Sequence, residues 1–170
     1  VGIETFCDYV GFGSLNVNKA TGVMNYEPYE FIFNEENTHF TFQSIGKRGV
    51  FDKAIAFTPI GDNIYNLALL DFDPEDQNYT DQNVTDNGDM PLVLATVMTI
   101  ILDYLNQFPD RKVYLIGNSR SRTRLYQIAI SKVINQISDI TVLGYYNSQW
   151  IQFEPNKVFD SFLIIKISLD

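Results

Sequence analysis

The chain has 170 residues, 45% of them hydrophobic and 19% charged, and its 21 acidic against 12 basic side chains give a formal net charge of -9. That length is the usual size of one domain and is enough to bury about two-thirds of the unfolded surface, and the composition lies far from that of disordered chains. Within this sequence a lone Cys7 and a lone His39 exclude an intrachain disulfide, a cysteine-based zinc site and a multi-histidine metal site.

Residues 1–23 are rich in Gly and Asn and show no sustained period, so they read as an N-terminal appendage that lies outside the domain proper, which is expected to span 24–170. The N-terminus lacks the basic start, apolar stretch and small-residue cleavage site of a signal peptide. No uninterrupted apolar run reaches the roughly 18 residues that span a bilayer. The expectation is a cytoplasmic chain with no membrane segment.

An aromatic-rich stretch from Met24 to Phe33 is followed by three segments, 39–45, 50–59 and 63–70, dense in β-branched and aromatic residues. Gly46-Lys47-Arg48-Gly49 and Gly61-Asp62-Asn63 separate them. Gly and Asn relieve the steric cost of tight turns, which predicts an antiparallel meander. Asp71 to Asp89 is acidic and poor in apolar residues, and it reads as a loop.

Asp89 stands where a helix N-cap belongs, two residues before Pro91. Leu94, Val97, Met98, Ile101, Leu102 and Leu105 then recur at three- and four-residue spacing, predicting a helix that stops near Phe108-Pro109. Val113 to Ile116 is a short buried strand. After Gly117-Asn118-Ser119 a second helix is expected to about Ile137, burying Leu125, Ile128, Ala129 and Val133, and Ile140 to Tyr145 follows as a strand. Strand, helix, strand in this order predicts a right-handed crossover with both strands parallel in one sheet. Trp150 to Phe153 and Phe162 to Ile167 have strand composition, with a turn at Asn156-Lys157. The predicted class is α+β, a mixed, mainly antiparallel sheet with two main helices.

The net charge repels phosphates at long range, so nucleotide or nucleic-acid binding needs a concentrated positive patch. One segment offers it. Gly117, Asn118, Ser119, Arg120, Ser121, Arg122, Thr123, Arg124, Leu125 and Tyr126 join a strand to a helix start, where unpaired main-chain N–H groups and the helix dipole favour an anion. Arg120 and Arg124 are one turn apart and can converge on one ligand, whereas Arg122 points elsewhere. The competing structural reading has Ser119 simply capping the helix while the arginines are solvated or pair with the acidic loop. The P-loop pattern does not apply, because its Gly-Lys-Ser/Thr ending and glycine spacing are missing.

Other candidates are thinner. Lys47, Arg48 and Lys53 form a second basic cluster. Phe40, Phe42, Phe57, Tyr65 and Phe72 would stack on bases only if they faced outward, and core packing is their ordinary role. Asp71 and Asp73 at alternate strand positions would share a face and suit magnesium, but the calcium-loop pattern fails at Asp76 and Gln82 and a solvated loop is the default. Cys7 and His39 carry no mark of activation.

Phe57-Thr58-Pro59-Ile60, Tyr65-Asn66-Leu67, Asp71, Asn87-Gly88-Asp89, Val93-Leu94-Ala95-Thr96-Val97 and Arg122-Thr123-Arg124-Leu125-Tyr126 together resemble an uncharacterised family of small bacterial proteins known only as a domain of unknown function. The resemblance runs from about Met24 to Ile167, and it implies a family start near Met24 but no activity. Leu70 stands where a glycine often precedes the aspartate in that pattern.

Three functional expectations follow. The first is a module binding an anionic or phosphorylated ligand, a nucleotide or nucleic acid, through the residues 117–126. The second is an enzyme, either a metal-dependent phosphoryl-transfer enzyme using Asp71, Asp73 and Asp89, or an acyltransferase. The order of elements is similar to that of Gcn5-type acyltransferases, although their glycine-rich pyrophosphate loop is missing before Leu92. The third is a protein-interaction subunit of a toxin-antitoxin or defence pair. The sequence assigns no catalytic residue, no cofactor and no oligomeric state.

Overall fold

A computed structural model of the chain describes residues 26–82 and 85–168. The expectations for residues 1–23 and for Cys7 lie outside them.

β1 (Phe31–Phe33), β2 (His39–Gly46), β3 (Gly49–Gly61) and β4 (Ile64–Asp73) pair antiparallel in succession. The predicted three-strand meander forms as β2 to β4, and an unpredicted short strand, β1, is added at its edge. Asp62 and Asn63 connect β3 to β4 with φ of 51° and 58°, the left-handed pair that a tight hairpin turn demands. Inward-facing side chains line up across the strands. Phe40, Ile55 and Leu69 share one row, and Phe42, Lys53 and Asp71 the next.

The acidic stretch is not wholly a loop. After a turn in which Gln77 takes a φ of 51°, β5 (Asn78–Thr80) folds back and pairs with Asp71–Asp73. Tyr79 packs against Phe72, ring centroids 5.3 Å apart, and the Asp73 carboxylate accepts from the Glu75 N–H. Local polarity hid this strand because its stability comes from a neighbour.

α1 (Met90–Gln107) is an apolar helix laid on the sheet. It is long and apolar enough to cross a membrane, but most of it is buried in the core. Tyr104 stacks on Phe57 at 3.7 Å, and Val97, Ile100 and Ile101 are buried beside it.

Beyond α1, β6 (Lys112–Leu115) runs parallel to β4. α2 (Arg120–Val133) packs beside α1 and ends a turn earlier than predicted. Its buried residues are Thr123, Tyr126, Ala129, Ile130 and Val133, whereas Ile128 is 41% exposed and Leu125 half-buried. Of the expected stripe, Ala129 and Val133 are buried and Leu125 packs against the core, and only Ile128 faces away from it.

β7 (Ile140–Tyr146), β8 (Gln149–Gln152) and β9 (Ser161–Lys166) complete a nine-stranded sheet of order β1-β2-β3-β4-β6-β9-β7-β8, with β5 on β4. β6 and β7 both pair antiparallel to β9, so they are parallel to each other as predicted, with β9 between them. The fold is α+β, with a mixed and mostly antiparallel sheet.

Candidate functional site

The junction from β6 to α2 is built on close approach. A Cβ on Gly117 would lie 2.4 Å from the Thr123 nitrogen and 2.6 Å from the Arg122 Cβ, so only glycine lets the strand end this near the first helical turn. The Gly117 N–H donates to Thr123 Oγ1 at 3.0 Å, and that hydroxyl donates to the Ser119 carbonyl. Ser119 is extended, and its Oγ accepts from the Arg122 N–H at 3.1 Å, an N-cap that satisfies one of the helix's free donors.

The three arginines separate as their spacing requires. Arg120 and Arg124 are exposed and line one groove of about 530 Å³, together with Gly117, Thr123, Gln127 and Asp160. Among the described residues, neither guanidinium makes a salt bridge or side-chain hydrogen bond. Arg122 turns to the other side, where it lines two smaller hollows of about 150 and 230 Å³. Tyr126 is buried beneath it. Burial pushes the Tyr126 hydroxyl up, the adjoining Arg122 guanidinium opposes that shift, and the Asp71 charge adds to it.

The first of those hollows is a gap in the sheet. β4 and β6 pair only from Ile64 to Asn66, and β5 rejoins β4 only at Asp71. Between these points, among the described residues, Leu67–Leu70 has a strand neighbour on the β3 side alone. Ala68, Gly117, Asn118, Arg122 and Tyr126 line the opening, and Asn118 Nδ2 donates to the Asp81 carbonyl across it at 2.7 Å. No sequence pattern announces this gap, because it arises where two strands distant in the chain stop pairing.

The second basic cluster divides. Lys53 is buried and paired with Asp71, the side chains 5% and 6% exposed, and its Nζ also donates to Thr85 at 3.1 Å. It shares the 230 Å³ hollow with Arg122. Arg48 donates to the Thr85 carbonyl at 3.1 Å. Phe40, Phe42 and Phe57 are core, and Tyr65 and Phe72 are half-buried.

The carboxylates proposed for magnesium are committed elsewhere. Asp71 holds Lys53, Asp73 caps Glu75, and Asp89 accepts from the Tyr29 hydroxyl at 2.7 Å and the Ser44 hydroxyl at 2.6 Å. Asp89 occupies the N-cap position of α1 without capping it through its side chain. Among the described residues no group of three or more His, Cys, Asp or Glu could hold a metal ion. His39 lies 2.9 Å through Nδ1 from the Thr38 hydroxyl, and burial lowers its pKa.

No curated protein and no solved structure matches the chain. A family model does match, over residues 25–167, nearly the whole described domain and the whole of the junction. The chain therefore belongs to DUF6934, a family of unknown function.

Proposed function

We propose that the protein binds a phosphorylated or otherwise anionic ligand, of nucleotide or nucleic-acid type, at the Gly117–Tyr126 junction. The observation that carries this reading is the pair Arg120 and Arg124, which line one concave groove and, among the described residues, have no carboxylate neutralising them. In a protein of net charge -9, two unpaired guanidinium groups beside a helix N-terminus form a local positive field where the rest of the surface repels anions. Asp160 on the groove wall disfavours a ligand of high charge density there and favours one whose phosphate sits toward the arginines. Gly117 and Ser119 shape the main chain, and Thr123 holds them together. In a thermal-shift screen of nucleotides and oligonucleotides, the wild type should be stabilised by at least one of them, with a salt-sensitive shift that Arg124→Ala removes. Shifts that survive Arg124→Ala would remove the reading.

One observation favours a second reading, a Gcn5-like acyltransferase. The similarity in element order extends here to a parallel β4–β6 step, two helices packed side by side, and β9 set between β6 and β7. Against it, the segment before Leu92 lacks the glycine-rich pyrophosphate loop, and Asp86 and Asp89 bring negative charge there. Calorimetry with acetyl-coenzyme A separates the two readings: binding that depends on an acyl-coenzyme and not on nucleotides would favour the enzyme.

A further inference from the structure

We propose that the groove beside Arg120 and Arg124 takes a guanine nucleotide, its phosphate at the arginines and its base read by Asp160. The inference rests on the anion-binding reading and deepens it by naming the base.

The groove has two ends of opposite charge. Arg120, Arg124 and Gln127 follow one another along α2, and at the helical rise the stretch from Arg120 to Gln127 covers about 10 Å. At the Gln127 end the wall is the segment that leads into β9. Gln127 Nε2 donates to the Pro155 carbonyl at 3.2 Å and to the Lys157 carbonyl at 2.6 Å. Phe159 is buried, and a Cβ on Gly144 would lie 2.2 Å from its ring. The Asp160 N–H donates to the Tyr145 carbonyl at 2.9 Å. The main chain at Asp160 is therefore held in place. Its carboxylate is not, since among the described residues this exposed side chain makes no salt bridge or side-chain hydrogen bond.

Unpaired guanidinium groups and an unpaired carboxylate in one groove fit a ligand with an anion at one end and hydrogen-bond donors at the other. An ionised carboxylate only accepts, so the part of the ligand that faces Asp160 carries N–H groups. Between the ends the wall is apolar. Ile116 is 44% and Val158 71% exposed there, surface that a flat ring covers and a bare ammonium tail does not. The volume of about 530 Å³ lies in the range that holds one small organic ligand. Among the bases, guanine sets two adjacent donors on its pairing edge, N1–H and the 2-amino group, which match the two oxygens of one carboxylate. Adenine and cytosine set one donor beside an acceptor, and uracil sets its N–H between two carbonyl oxygens that a carboxylate repels.

Calorimetry with the 5′-monophosphates of guanosine, inosine, adenosine and xanthosine tests this. Guanosine monophosphate should bind most tightly. Inosine monophosphate, which lacks the 2-amino group, should bind about tenfold more weakly, and adenosine monophosphate more weakly again. Asp160→Asn keeps the size of the side chain and turns one acceptor into a donor. It should invert the preference, so that xanthosine monophosphate, with an oxygen in place of the 2-amino group, binds more tightly than guanosine monophosphate. Arg124→Ala should weaken every nucleotide. Three results would each overturn the base reading and leave the anion site standing: equal affinities for guanosine and adenosine monophosphates, an Asp160→Asn variant that tightens all nucleotides alike, or O-phosphoethanolamine bound as tightly as guanosine monophosphate. Binding of none of the nucleotides to the wild type would overturn both. A free nucleotide and the 5′ end of an RNA share this chemistry, and a 5′-phosphorylated guanosine-uridine dinucleotide separates them. Tighter binding than guanosine monophosphate assigns the groove to an RNA end, and no gain assigns it to the free nucleotide.

Discussion

The two helix N-termini of this protein have the same local ancestry, each following a strand or loop that ends near a glycine, yet one is closed and the other open. At α1 the chain consumes its own polar groups. Asp89 takes hydroxyls from Tyr29 and Ser44. Asn87 accepts from the Arg48 N–H and donates to Ser44 and Gly49, and a Cβ on Gly46 would lie 2.1 Å from the Asn87 carbonyl oxygen. At α2 a single serine caps one N–H, and the charged side chains that follow reach a groove instead of a partner. A helix terminus is a favourable place for an anion in both cases, but at α1 the surrounding polar groups are committed to one another, whereas among the described residues the two arginines at α2 have no partner. Position in the fold, and not helix chemistry, separates a structural joint from a candidate site.

The sharpest way to break this contrast is at the buried pair behind the closed end. Asp71→Ala leaves Lys53 charged, buried and without its carboxylate, and should cost about 3–5 kcal/mol. Urea denaturation reads this directly, and Lys53→Met with Asp71→Leu should recover most of the loss, since the pair is replaced as a unit. A loss of less than about 1 kcal/mol for Asp71→Ala would mean that the pair is solvated.

The comparison is sharpened by variants of the residue at each N-cap position. Asp89→Ala strands two hydroxyls that bond a carboxylate and should cost about 2–4 kcal/mol, whereas Ser119→Ala removes one ordinary cap and should cost about 1 kcal/mol. Equal losses would show that the α2 end is as deeply committed as the α1 end. The smallest effect is expected at the groove itself. Arg120→Ala combined with Arg124→Ala should change stability by less than about 0.5 kcal/mol, because both guanidinium groups lack internal partners; a larger loss would mark them as structural.

Much of this was legible beforehand. The aromatic and β-branched meander, the Asp62-Asn63 turn, α1 and the strand-helix junction are all local in origin, set by alternation, helical periodicity and turn residues within a short window. The divergence of Arg122 from Arg120 and Arg124 was legible for the same reason, since 3.6 residues per turn fix which side chains share a face. What failed were statements about partners: β5 was read as loop, Ile128 as core, and Asp71 as part of a solvated acidic stretch.

Sequence alone therefore determined the fold class, the order of the main elements apart from the short β1 and β5, and the concentration of arginines at one helix start, because each follows from short-range stereochemistry along the chain. Only the tertiary structure decided that Lys53 meets Asp71, that Asp89 turns away from its helix to hold Tyr29 and Ser44, and that, among the described residues, one edge of β4 has no strand beside it between β6 and β5. Those outcomes depend on strands brought together over tens of residues, where burial and register, invisible to any local pattern, assign each polar group its partner or leave it facing a gap.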